Sequence, residues 1–419
     1  MTQFPRRQFL QTSSLLLGGS WLHSALAADA PNVPTFAPQA KFDPEIVLLS
    51  WQSDPTTSMT IQWVGKENEA AERLIWSAAA GAMDWRSTPP TKHQMPMTDL
   101  WIFRTELTGL KPGSEYRFRI GLDSPEYKFM TVPAKLTDSF QFVSGGDSGI
   151  DQHAQATNRV AAAQVPWFVF MGGDLAYENG RDPKTFVQFL KNYSQQVRTP
   201  DNRLIPMVAC IGNHEVNGSY GHKPSSAPFF YAMFGGFFKD GGYGVLDFGD
   251  YLSLVLLDSN HTTPVAGEQT SWLDKTLKER QERPHVLVGY HVPSYPSVRD
   301  VDLDHNEKGV GIDTRKHWVP LFERYNVDAV MEHHDHAFKR SHPLMGSQVS
   351  KNGIVYLGDG SWGKIRLPKT PEQRPYLAVS KQSYHLSVHR LEAVERFHLA
   401  ISDTGKVVDA CTTTKRART

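Results

Sequence analysis

Cysteine is nearly missing from this chain: Cys210 and Cys411 are the only two in 419 residues. No disulfide framework can therefore stabilise the fold. Cys210 falls inside the apolar run Met207–Ile211, where a buried, inert thiol is expected. Its pairing with Cys411 is a matter of geometry that spacing leaves open, and neither reads as a nucleophile. A charge excess is missing too, since 44 Lys and Arg offset 44 Asp and Glu. That balance excludes a basic footprint for specific nucleic-acid binding and an acidic, disordered composition, so contact with any polyanion must be local. No internal repeat or low-complexity tract occurs. Beyond the N-terminus no apolar run is long enough to span a bilayer, so no membrane span is expected in the mature protein. The length fits two folded units with a short appendage.

The appendage is the N-terminus. Residues 1–27 carry Arg6-Arg7-Gln8-Phe9-Leu10 and an apolar, small-residue stretch to Leu26, followed by Ala27-Ala28. The pattern resembles a twin-arginine export signal cleaved near Ala25-Leu26-Ala27. Gly, Ser and His interrupt the stretch, which is short for a bilayer span. A periplasmic or secreted protein is the expectation, exported by a route that carries chains already folded and often loaded with a cofactor. Pro31, Pro34 and Pro38 then punctuate a linker over 28–42 that cannot be helical.

A β domain is expected over 43–133. Met59, Ile61 and Trp63 alternate within Ser58–Val64, and Tyr116, Phe118 and Ile120 do so later, which predicts half-buried strands. The segment Leu110-Lys111-Pro112-Gly113-Ser114-Glu115-Tyr116 resembles the corner of fibronectin type III sandwiches, where a tyrosine hydroxyl bonds back to the backbone. Trp63 then reads as the core tryptophan. Such modules support, orient or adhere, which makes this one a candidate surface for a partner.

From Ser139 short apolar runs alternate with longer mixed segments. Strands are predicted at Phe140–Ser144, Trp167–Met171, Pro206–Ile211, Leu252–Leu257, His285–Tyr290, Asp328–Met331 and Gly353–Leu357, with helices around Gln155–Ala163, Thr185–Arg198, Glu268–Gln281 and Lys316–Tyr325. This alternation predicts an α/β layered domain over 138–375 whose ligand sites gather at the carboxyl ends of strands. Residues 376–419 read as two strands around the turn Ser402-Asp403-Thr404-Gly405, ending in a polar tail.

Metal-ligand residue types stand at those strand ends. Asp147 lies in GDSG, Asp174 and Tyr177 in GDLAY, Asn213 in GNHE, His291 closes VGYH, and His334 and His336 lie in HHDH. Each is ordinary alone. An aspartate after glycine is often a cap or loop residue, and a lone histidine at a strand end is more often a satisfied polar group than a ligand. The ordered set is what carries weight. Two ions about 3.5–4 Å apart can acidify a water and clamp a transferring phosphoryl group. Oxygen and imidazole donors without thiolate suit iron, zinc or manganese.

In this order the motifs resemble the purple acid phosphatase branch of the calcineurin-like metallophosphoesterases, over Ser139 to about Gly363, with the preceding sandwich matching that family's architecture. The resemblance implies an α/β fold in which a calcineurin-like metallophosphatase β-sandwich is flanked by helices and preceded by an all-β, fibronectin III-like sandwich. It also implies that Asp147, Asp174, Tyr177 and His336 hold a ferric ion. Asp174 would bridge to a second, divalent ion, zinc, iron or manganese, completed by Asn213, His291 and His334. A phenol with a pKa of about 10 becomes a ligand only where a strongly Lewis-acidic ion displaces its proton, which iron(III) does.

The implied reaction is hydrolysis of small phosphate monoesters by metal-activated hydroxide. His214 would be the general acid or transition-state donor, or would merely bind phosphate, and Glu215 would orient it. Two departures from the family pattern concern substrate. His333 stands where a glycine is usual, and after His291 the next histidine, His305, is off the spacing of plant-like members; His333, His305 and Arg299 are candidate substrate contacts. Phosphodiester or nucleotide hydrolysis on the same ions is the nearest alternative. A non-catalytic exported binding protein fits less well, because it has no need of open metal positions.

Overall fold

The computed structural model describes residues 44–67, 73–78, 84–238, 241–303 and 305–415. The twin-arginine segment, the linker to residue 42 and the last four residues lie outside them. Among the described residues no helix is long and apolar enough to cross a membrane.

The first unit is a sandwich of two four-stranded antiparallel sheets. Trp63 is fully buried in it and stacks on Phe103 at 5.6 Å. The tyrosine corner is present, with Lys111 N–H donating to the Tyr116 hydroxyl at 2.8 Å. One expectation needs correcting. The strand Met59–Lys66 is not half-buried, because every residue from Met59 to Val64 is buried. Its apolar side chains face the sandwich core, while its polar neighbours are covered by the catalytic domain. Gln62 Oε1 accepts from Arg104 Nε at 2.9 Å, and Arg104 Nη2 donates to the carbonyls of Ala232 and Met233 at 2.7 and 3.1 Å. Those carbonyls belong to the helix Pro228–Phe234. The partner that covers this face of the sandwich is the chain's own second unit.

That second unit is built on two facing sheets. In the first, Met207–Ala209, Val169–Met171 and Phe140–Gly145 run parallel, and His385–Glu392, Glu395–Ser402 and Val407–Thr414 extend it antiparallel. In the second, Leu252–Leu256, His285–Tyr290, Ala329–Glu332 and Val355–Asp359 are parallel, with antiparallel strands at both edges. The sheets pack closely enough that a Cβ on Gly289 would overlap the Phe170 ring. Helices Gln152–Ala163 and Pro183–Gln196 start on the aspartate caps Asp151 and Asp182, whose carboxylates satisfy free N–H groups of the first turn. Val286, Val288, Leu273, Leu277, Trp318 and Phe322 join one apolar core.

Two readings of local structure change. The C-terminal stretch holds four strands rather than two: Leu377–Lys381 is an edge strand of the second sheet, and the three that follow arise because the chain also turns at Ala393, where φ is 45° without the glycine or asparagine that advertises such a turn. Those three complete the first sheet of the catalytic unit. The helix expected at Lys316–Tyr325 is two short helices, Ile312–His317 and Val319–Arg324, since Pro320 has no N–H with which to continue the first.

Candidate metal centre

The motif residues converge at the carboxyl ends of five parallel strands, on backbone that L-residues avoid. φ is 57° at Asp147, 52° at Asp174, 67° at Tyr177, 70° at His334 and 59° at His336. Left-handed positions of this kind cost on the order of 1–3 kcal/mol each and persist where the surroundings over-determine them. Here they turn side chains from separate strands toward one place.

The donor atoms form two groups. In the first, Asp147 Oδ1 lies 2.9 Å from His336 Nε2, and the Tyr177 hydroxyl lies 3.1 Å from that nitrogen and 3.3 Å from that oxygen. In the second, His291 Nε2 is 3.3 Å from Asp174 Oδ2, 3.2 Å from Asn213 Oδ1 and 3.1 Å from His334 Nδ1. Donors at neighbouring corners of an octahedral ion with bonds of ~2.1 Å are about 3 Å apart, so both groups have the spacing of a coordination shell. Asp147, Asp174, His291 and His334 each place one donor atom within 4.8 Å of the others. Asp174 Oδ2 is buried and accepts no hydrogen bond, which fits a metal bridge.

Of the imidazoles His291, His334 and His214, His291 is the one raised in basicity, while burial lowers the other two. Burial lowers the basicity of His291, yet Asp174 and Asp147 outweigh it and raise the imidazole to about 9. Burial likewise opposes ionisation of Asp174, but His291 and His214 hold its carboxyl well below the ordinary range. Burial and the neighbouring Asp147 push the Tyr177 phenol well above 10.

Backbone groups fix what the donors leave over. His334 N–H donates to Asp147 Oδ2 and His214 N–H to Asp174 Oδ1, both at 2.8 Å. Glu215, fully buried, accepts from Gly212 N–H at 2.7 Å, Asp174 N–H at 2.8 Å and Leu175 N–H at 2.7 Å. It ties the GDLAY and GNHE loops together, and with its carboxylate engaged by backbone its part is one of orienting. Burial, then Asp174, raises its pKa to about 7.

His214 sits beside the centre, with Nδ1 2.5 Å from Asn179 Oδ1, Nε2 3.9 Å from Asp174 Oδ2 and its ring 4.3 Å from that of Tyr177. The substrate candidates fare differently. His333 is 1% exposed, its Nδ1 lies 2.9 Å from Tyr290 O, and its ring fills the space that Gly146 and Gly172 leave open. It packs beneath the loop and offers nothing to substrate. His305 stays out on the surface, paired with Asp302 at 3.5 Å. Arg299 does reach the site: Nη1 donates to His334 O and, at 3.2 Å, to Asp335 Oδ1. Asn179 and Tyr220 were missed. The Tyr220 hydroxyl is 3.3 Å from His334 Nε2 and 3.4 Å from Asn213 Oδ1, and its one sequence signal is an aromatic in the turn Gly218-Ser219-Tyr220-Gly221.

Residues 44–131 match the purple acid phosphatase N-terminal domain and residues 136–338 the calcineurin-like phosphoesterase domain. The chain is a purple acid phosphatase-like metallophosphoesterase. Acid phosphatase type 7 of Mus musculus is 24% identical over 94% of this chain and 96% of its own length. Purple acid phosphatase 15 of Arabidopsis thaliana is 22% identical over 81% and 73%. The solved purple acid phosphatase PPD1 of yellow lupin superposes with a TM-score of 0.74 at 18% identity, over 89% of this chain and 74% of its own, a likeness of fold.

In this metallophosphoesterase a Cβ at Gly172 would overlap the His333 ring. Gly172→Ala should therefore displace the HHDH loop and weaken metal retention about tenfold or more, measured as metal per chain. Adding His333→Gly should restore it. Full retention in Gly172→Ala alone would show that the loop does not depend on this contact.

Proposed function

We propose that the protein is an exported phosphatase that hydrolyses small phosphate monoesters at a two-ion centre. The observation that carries the proposal is the pair of donor groups, spaced as coordination shells, with His214 beside them. Asp147, Tyr177 and His336 would hold the first ion and Asn213, His291 and His334 the second, with Asp174 between them. Ferric iron suits the first group, because a phenol pushed well above 10 yields its proton only to a strong Lewis acid. Zinc, iron or manganese suits the second. Bound there, the ions would supply Lewis acidity, easing deprotonation of a water and offsetting charge on the phosphoryl oxygens.

The chain's own residues would do the rest. Asn179 anchors His214 Nδ1, leaving Nε2 to hydrogen-bond the phosphoryl group and give a proton to the departing oxygen as the P–O bond breaks and water's oxygen joins phosphorus. Glu215 keeps both loops in register. Acid phosphatases among the relatives support the monoester reading, and the arginine pair with its apolar stretch supports export.

On p-nitrophenyl phosphate and bis(p-nitrophenyl) phosphate side by side, the monoester should be turned over faster. His214→Ala should lower its kcat by about 10²–10⁴-fold with metal content unchanged. A faster diester would move the assignment to phosphodiester hydrolysis. Iron-loaded protein should show a visible phenolate-to-iron band that Tyr177→Phe abolishes; an iron-loaded protein without that band sinks the tyrosinate assignment. Replacing Arg6-Arg7 with Lys-Lys should hold the chain in the cytoplasm, and undiminished export would remove the twin-arginine reading.

A further inference from the structure

We infer that Tyr220 is the positioning residue of the second ion's site, setting the aim of His334 and steadying Asn213. The inference rests on the two-ion reading above. An imidazole that turns the Nδ1 lone pair toward a cation carries its proton on Nε2, and that N–H needs an acceptor fixed in space. At His291 the equivalent partner is a main-chain carbonyl, Gly172 O, 2.8 Å from Nδ1, and Nε2 faces the cluster. At His334 the nitrogens are reversed. Nδ1 faces His291 at 3.1 Å, and Nε2 meets the Tyr220 hydroxyl at 3.3 Å. That hydroxyl accepts from His334 and donates its own proton to Asn213 Oδ1 at 3.4 Å, touching two of the second ion's three other ligands.

Tyr220 is 41% exposed, which alone would make it a surface aromatic, but its placement is fixed from below. Its ring stacks on His261 at 5.1 Å and 29°. His261 is fully buried, with Nδ1 3.2 Å from Ser219 O and Nε2 3.1 Å from Ser259 Oγ. Two main-chain bonds, Gly221 N–H to Asn260 O and His222 N–H to His261 O, pin the Tyr220 loop to the His261 loop. The His261 loop is in turn wound around Asp258, whose carboxylate accepts from the N–H groups of His261, Thr262 and Thr263 and the hydroxyl of Thr262. The series runs from a buried carboxylate through a buried imidazole to a phenol, and ends on a metal ligand.

The test uses the full chain stripped by a chelator, reloaded with iron(III) and then titrated with zinc, with both bound metals counted by atomic emission against the free ions. Wild type should take up two equivalents, one of iron and one of zinc. Tyr220→Phe keeps the ring and its stack on His261, and should retain the iron at wild-type affinity while zinc weakens about 10–100-fold. Wild-type affinity at both sites, or equal weakening of both, overturns the inference. A wild-type chain that takes up fewer than two equivalents overturns the two-ion reading itself, and needs no variant to show it.

Discussion

Donor atoms of Asp174, Asn213 and His334 stand about 3 Å from His291 Nε2 in a buried site, with Asp147 within 4.8 Å of the same cluster. Such an arrangement is repulsive, and burial in a medium of low dielectric makes it more so unless positive charge lies between the donors. Much of the catalytic unit can be understood as holding this arrangement open. Five strands must end within reach of one point, and five of the donors must sit in left-handed turns. A relaxed loop would let the side chains part.

Glu215 offsets that tension most directly. Its two oxygens take three main-chain N–H groups from two loops, so the turns that carry Asp174 and Asn213 cannot move independently. Glycines supply the remaining freedom. Gly212 lies so close to Asp174 that a side chain would strike its carboxylate, and Gly146 and Gly172 admit the His333 ring. The histidine that stands where the family has glycine is thus balanced by empty space in two other loops.

The convergence of the candidate ligand residues was legible because each occupies a short motif at the end of an apolar run, and strand ends are where parallel sheets bring loops together. Outer residues were less legible. Tyr220 and Asn179 are linked to the centre by folding, with no spacing rule to reveal them, while His305 and His333 looked functional by residue type and lie elsewhere. The sandwich was read from Trp63 and Tyr116, whose environments match the expectation. Burial of Thr60 and Gln62 could not be read, since polar alternation ordinarily marks a solvent face and here marks a domain contact. Ala393 shows the same limit on a small scale: a turn without a turn residue.

Arg104 of the sandwich grips the carbonyls of Ala232 and Met233, in the helix that follows the loop carrying His214 and Tyr220. The boundary near residue 133 is consequently a boundary of sequence and not of cohesion. Cutting there would strip the catalytic half of a wall and leave the carbonyls of Ala232 and Met233 without the Arg104 guanidinium.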